Sequence, residues 1–172
     1  MDESTAPGLL IAMPNLLDPN FFHSVVLMCA HSDEGAFGLV INRPTEVTTA
    51  KVCSESDIVW TGDDESVVFN GGPVEPQRGW LLHSGDVMYP GSQLVGPGVG
   101  LSASQESLEA YGASPAGRFR LVLGYAGWGP GQLEGELAQG AWLTAPTIAD
   151  LVFHDNIARV WHLALRSVGV DP

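Results

Sequence analysis

Residues 121–136, LVLGYAGWGPGQLEGE, constrain the fold most, because an apolar run, a glycine-rich turn and the start of an amphipathic helix follow one another without a gap. The apolar run reads as a strand covered on both faces. Gly129 as cap and Pro130 at the first helical position predict the helix start, with Gln132 and Glu134 in its first turn and Leu133 and Leu137 on one face. A free helix terminus can hold an anion. Here Glu134 and Glu136 already answer the helix dipole from within. The same stretch carries part of a dinucleotide fingerprint, Gly127 and Gly129 with Asp150 further on. Gln132 stands where the third glycine belongs, so tight packing around Trp128 is the favoured reading.

Further strands are predicted at 9–12, 25–30, 38–42, 67–70, 80–83, 99–102, 119–125 and 141–144, several of them uninterrupted apolar runs. Ile157, Val160, Trp161, Ala164, Leu165 and Val168 form the stripe of a last helix, capped by Asp155 and stopped by Gly169. Arg159, His162 and Arg166 fall on its other face, with Asp155 spaced to pair with Arg159. A shorter helix is predicted over 104–111. Residues 54–66 carry five acids without a basic partner and read as a solvated loop or mobile insertion. The glycines and prolines of 85–100 read as an irregular connection. Alternating strands and few helices imply one mixed α/β or α+β domain over 1–172, with 1–7 as a flexible tail.

Composition narrows the function. Twenty acidic against seven basic residues leave a net charge of −13, and the single lysine and six scattered arginines form no basic patch, which opposes direct nucleic-acid binding. The first 42 residues lack Lys and Arg, unlike a secretory or transit segment. The apolar runs are far shorter than the roughly 18 residues that cross a bilayer. A cytoplasmic protein with no membrane association is expected. Cys29 sits in an apolar run and reads as a core residue; Cys53 lies in a polar stretch and is a candidate reactive thiol.

Chemistry-bearing residues are few. Arg43, after the strand that ends at Asn42, can clamp a carboxylate or phosphate, or simply pair with one of many acids. Asn70, Gly71, Gly72 and Pro73 form a turn whose glycines can also admit a ligand close to the backbone. Five histidines show no metal-binding spacing, and neither a nucleophile elbow nor a phosphate-binding loop is present, so no metal and no cofactor are expected. His31 and His83 each end an apolar strand, where an imidazole can act as base. With Glu134, or with Ser24, Ser84 and Asp86, they are the candidates for a hydrolase.

Four blocks carry a family resemblance: GLLIAMPNLLDPNFFHSVV from 8, GAFGLVINRP from 35, NGGPVEPQRGWLLHSG from 70 and GYAGWGPGQLEGE from 124. Together they resemble the YqgE/AlgH family of small bacterial proteins. The resemblance covers nearly the whole chain, with matches including Pro14, Asp18, His31, Asn42, Arg43, Arg78, His83 and Trp142. It implies a single α+β domain whose bifurcated mixed sheet is rolled into a pseudo-barrel with helices packed outside. It implies no established activity and supplies no accepted catalytic or ligand residue. Relatives usually have phenylalanine directly before aspartate where this chain has Phe153, His154 and Asp155, so its last helix is expected to start differently. A transcription-regulator label attaches to some members and implies at most a role through a partner.

The leading functional reading is a module that binds a small molecule or a protein. Its expected site joins Asn42, Arg43, Gly71, Gly72, His83, Trp128, Gln132 and Glu134 at one cleft. A hydrolase using His31 or His83, and a regulator acting through a partner, are the alternatives.

Overall fold

The computed structural model describes residues 4–171. Among the described residues ten strands form one sheet: β1 (Gly8–Ala12), β2 (Val25–Ser32), β3 (Gly35–Val40), β4 (Pro44–Thr48), β5 (Val67–Asn70), β6 (Val74–Ser84), β7 (Gln93–Leu94), β8 (Val99–Ser102), β9 (Phe119–Trp128) and β10 (Trp142–Ala145). The helices are α1 (Thr49–Glu55), α2 (Gln105–Ala113), α3 (Gln132–Ala138), α4 (Ala149–Val152) and α5 (Val160–Ser167). The path through the sheet is β10-β1-β2-β3-β9-β6-β8-β7, with β4 on β5 and β5 on β9. β9 is where the sheet forks. β6 lies antiparallel along one edge, while the other edge takes β5, in parallel, at Val122 and Leu123 and β3 at Ala126–Trp128. A single strand shared by two branches makes the sheet curl strongly, as the resemblance implied.

The uninterrupted apolar runs do lie between two cores. Leu9 and Ile11 of β1 face a large cluster with Leu27, Leu82, Trp161 and Leu165, whereas Leu10 and Ala12 face a second with Met28, Trp128, Leu133 and Trp142. Alternation along a strand sends neighbours to opposite faces, so both must be apolar. Each fully buried leucine contributes about 1.5–3 kcal/mol. Helices α4 and α5 cover one face and α3 covers the other.

Several local expectations change. The last helix does not begin at an Asp155 cap: a tight turn over Ile157–Arg159 precedes α5, and the Arg159 amide bonds the Asn156 carbonyl. No Asp155–Arg159 pair forms among the described residues; the Asp155 charge acts on Arg120 instead. α3 is capped at Gly131, with φ 76°, rather than at Gly129. The expected tail is held from Thr5 by His31, and residues 1–3 lie outside the described residues.

The acidic stretch is not free either. Its first residues complete α1, which Thr48 caps, and beyond it Trp60 stacks on Tyr111 while Thr61 bonds Gly112. Its carboxylates and Val59 stay exposed while Ile58 and Trp60 anchor the backbone. Cys53 is buried and burial raises its thiol pKa, which opposes the reactive-thiol reading; Cys29 is half-buried against the large core, and burial pushes its thiol up to about 12.

Candidate functional site

The eight expected site residues separate into three groups. His83 pairs with Phe119 at one end of β9, whereas Trp128 pairs with Ala36 at the other end. About 30 Å of strand lies between them at ~3.3 Å per residue. His83 therefore does not share a site with Trp128, and the single cleft expected from the sequence is not assembled.

The first group is built on the loop 18–23. Asp18 holds it by accepting the Asn20 amide at its side chain and the Phe21 and Phe22 amides at its carbonyl. Arg43 reaches under the loop and donates to the Pro19 and Phe22 carbonyls at 3.1 and 3.0 Å. Asn42 donates to the His23 carbonyl and accepts from the Val25 amide. Arg43 in turn accepts the Asn70 amide at its own carbonyl, and the Asn70 side chain accepts from Gly72. Asn42, Arg43, Gly71 and Gly72 are thus neighbours. The two glycines serve backbone packing, since a side chain at Gly72 would overlap the Tyr125 carbonyl and one at Gly71 the Gly124 carbonyl. The hollow between Asn20, Arg43, Asn70 and Gly72 holds only about 30 Å³.

On the other side of Arg43 a cleft of about 200 Å³ opens between Phe22, His23, Arg43, Ile157, Trp161 and His162. His23 is its central wall. Its ring is sandwiched between Phe22 and Trp161, with centroids 3.8 and 3.7 Å away. Its backbone has φ 54°, a conformation costing a non-glycine residue about 1–2 kcal/mol that the stack and the Asn42 bond hold in place. Burial, and second the neighbouring His162, lower the His23 pKa. Burial also lowers that of Arg43, against the pull of Asp18. No carboxylate lies within ion-pair distance of Arg43 among the described residues. His23, Trp161 and His162 were not expected here: Trp161 reads as core stripe, and no sequence signal announces the turned backbone at His23.

The second group surrounds the 121–136 turn. Glu136 accepts both the Trp128 and the Trp142 indole N–H on one oxygen, at 3.0 and 2.9 Å, and Gln132 on the other at 3.1 Å. Gln132 also accepts the Gly129 amide, closing the turn from inside. Phe21 packs on both indoles, which joins this group to the first through the 18–23 loop. β10, which follows α3, pairs antiparallel with β1 and not in parallel beside β9, so no βαβ unit carries the partial dinucleotide fingerprint, and Asp150 pairs with Arg118 at 2.9 Å. His31 accepts the Thr5 amide at Nδ1, 2.9 Å, so its Nε2 carries the hydrogen directed at Glu134, 3.3 Å away. The hydrogen bond from its own backbone amide, and then that of His31, lower the Glu134 pKa. With both nitrogens engaged and the side chain 3% exposed, His31 is a tie between the N-terminal segment and α3.

The third group is His83 alone among the expected residues. It is buried; its Nδ1 lies 2.9 Å from the Ser84 carbonyl and must donate to it, which leaves Nε2 to accept from the Ser92 hydroxyl at 2.9 Å. Ser92 also accepts the Tyr89 amide. Ser92 was not expected, because it lies in the connection read as irregular.

Among the described residues, no three His, Cys, Asp or Glu side chains are grouped to hold a metal, and no helix is long and apolar enough to cross a membrane. Residues 9–172 match the family model described as AlgH-like, DUF179. The chain belongs to the AlgH-like family. A Myxococcus xanthus relative, named only as a UPF0301 protein, is 45% identical over 171 residues, covering 99% of this chain and 94% of its own. A Stenotrophomonas maltophilia UPF0301 protein is 43% identical, covering 98% and 91%. The solution structure of AlgH from Pseudomonas aeruginosa superimposes with a TM-score of 0.80 at 35% identity, over 99% of this chain and 94% of that one. A crystal structure from Corynebacterium diphtheriae shares the fold at TM-score 0.79 and 24% identity, over 96% and 88%. The names of these AlgH-like relatives state no activity, and the family has no established molecular function in them.

Proposed function

We propose that this AlgH-like protein is a cytoplasmic binding module whose Arg43 cleft takes a small molecule bearing a carboxylate or phosphate on a flat ring. The observation that carries this reading is Arg43 itself. In a chain of net charge −13 it has no carboxylate within ion-pair distance among the described residues, Asp18 acting on it from further off, and its side chain donates to two backbone carbonyls. A guanidinium has five N–H donors, so others remain for a ligand, and bonds to an anion are the strong, charge-assisted kind. His162 adds a second donor, and the outer face of Phe22, 44% exposed, continues the ring stack toward solvent. Any regulatory effect would then follow from ligand occupancy and not from DNA contact. Calorimetric titration with phenyl phosphate, benzoate and benzyl alcohol tests this: the two anions should bind and the alcohol should not. Arg43→Gln should lose binding, and His162→Gln, on the exposed helix face, should weaken it with stability at neutral pH unchanged. Binding of all three alike, or of none, would refute the reading.

A second reading, a hydrolase, is supported at His83, where Nε2 accepts a serine hydroxyl as in acyl transfer, with a backbone carbonyl on Nδ1–H in place of the triad's carboxylate. A fluorophosphonate probe should then label Ser92 and should not label Ser92→Ala; an unlabelled native protein would leave the Ser92–His83 bond as a turn latch.

A further inference from the structure

A second cleft, of about 210 Å³, lies between α1, α2 and the face of the sheet formed by β6, β8 and β9. Its apolar wall is made by Val52, Ile58, Leu81, Leu108, Leu121 and Leu123. None of the described residues lining it is ionisable, although the protein carries twenty acids and seven bases. A charge carried onto its apolar floor would lose its hydration, and an anionic group left at its mouth would find no counter-charge among the described lining residues of a strongly acidic protein. The hydroxyls of Ser102 and Ser104 on its wall are both donated to the Pro90 carbonyl. Ser56 and Gln77 are exposed, and neither side chain makes a hydrogen bond among the described residues.

Gly79 forms part of the floor, and it differs from Gly71, Gly72 and Gly124 nearby. At those three a side chain would run into backbone atoms. At Gly79 a Cβ would meet only the Leu123 side chain, at an ordinary 3.6 Å, and the backbone lies outside the left-handed region. Neither conformation nor backbone packing requires glycine there. What it does is keep the floor of the cleft open.

We infer that this cleft binds an uncharged small molecule with an apolar body and a single hydrogen-bonding end group, the body against Gly79 and Leu123 and the end group at Gln77 and Ser56. It is separate from the Arg43 cleft and independent of the reading given for it. Nuclear magnetic resonance titration of the full chain with 1-octanol and with octanoate separates the possibilities. The alcohol should give saturable shifts at the amides of Gly79, Leu108 and Leu123, and octanoate should bind at least tenfold more weakly. Gly79→Val fills the floor and should abolish octanol binding while leaving the melting temperature unchanged. Leu108→Trp closes the cleft from α2 and should do the same if the first variant perturbs the sheet. Equal binding of octanoate, unchanged octanol binding in a folded variant of either kind, or no saturable shift at these amides would overturn the inference.

Discussion

Trp161 donates its indole N–H to the carbonyl oxygen of Ala12 at 2.7 Å, tying the last helix to the first strand across 149 residues of chain. The same ring stacks on His23, so a structural bond and a wall of the Arg43 cleft reside in one side chain. Phenylalanine keeps the stack and removes the donor. Trp161→Phe should therefore lose about 1–2 kcal/mol in urea denaturation while anion binding at Arg43 persists. Trp161→Ala should lose about 3–5 kcal/mol and the binding as well. Equal losses from the two substitutions would show that the bond to Ala12 and the ring contact are not separable.

Glu136 is the acceptor for two buried indoles, and its removal leaves both without a partner. A buried donor left unsatisfied costs about 1–3 kcal/mol. Glu136→Leu should accordingly destabilise by about 2–4 kcal/mol, visible as a lower denaturation midpoint with a red-shifted tryptophan emission. Glu136→Gln keeps an acceptor oxygen but turns an amide toward the Gln132 amide, and should cost about 1 kcal/mol. A neutral Glu136→Leu would mean that the indoles find other acceptors.

What was legible in the sequence and what was not divide along physical lines. Apolar runs located the strands at 25–30 and 119–125 because period and burial are written in residue type. The pairing of β9 with β3, β5 and β6 is long-range, and no local pattern reports it. That is why His83 and Trp128, both at strand ends near glycines, read as neighbours although they occupy opposite ends of β9. Arg43 was legible as a candidate, but its partners come from 19 and 22, brought to it by the Asp18 turn. α1 and β4 were missed because Pro44–Glu55 has too few apolar residues to show either period.

The two thiols should be inert. Cys29 has its pKa pushed up to about 12 by burial, and burial raises that of buried Cys53 too. The thiolate is the nucleophile, so neither residue presents it at neutral pH. An aromatic disulfide reagent should label neither cysteine in native protein and both in urea. Fast native labelling of Cys53 would show that α1 opens readily from the sheet.

His23 should make stability depend on pH in a definite direction. Its folded pKa lies below the ordinary 6.5, first through burial and second through His162. Between the folded and the unfolded value the unfolded chain binds more protons, so stability rises with pH through that window and this contribution is flat above 6.5. His23→Asn tolerates the left-handed backbone and removes the titrating ring. Its stability relative to the native chain should therefore improve as pH falls below 6.5, in denaturation curves measured across that range. His162→Gln removes the second cause alone and should flatten the native profile in part. A pH profile unchanged by His23→Asn would mean that the ring between Phe22 and Trp161 does not titrate differently in the folded and unfolded chains.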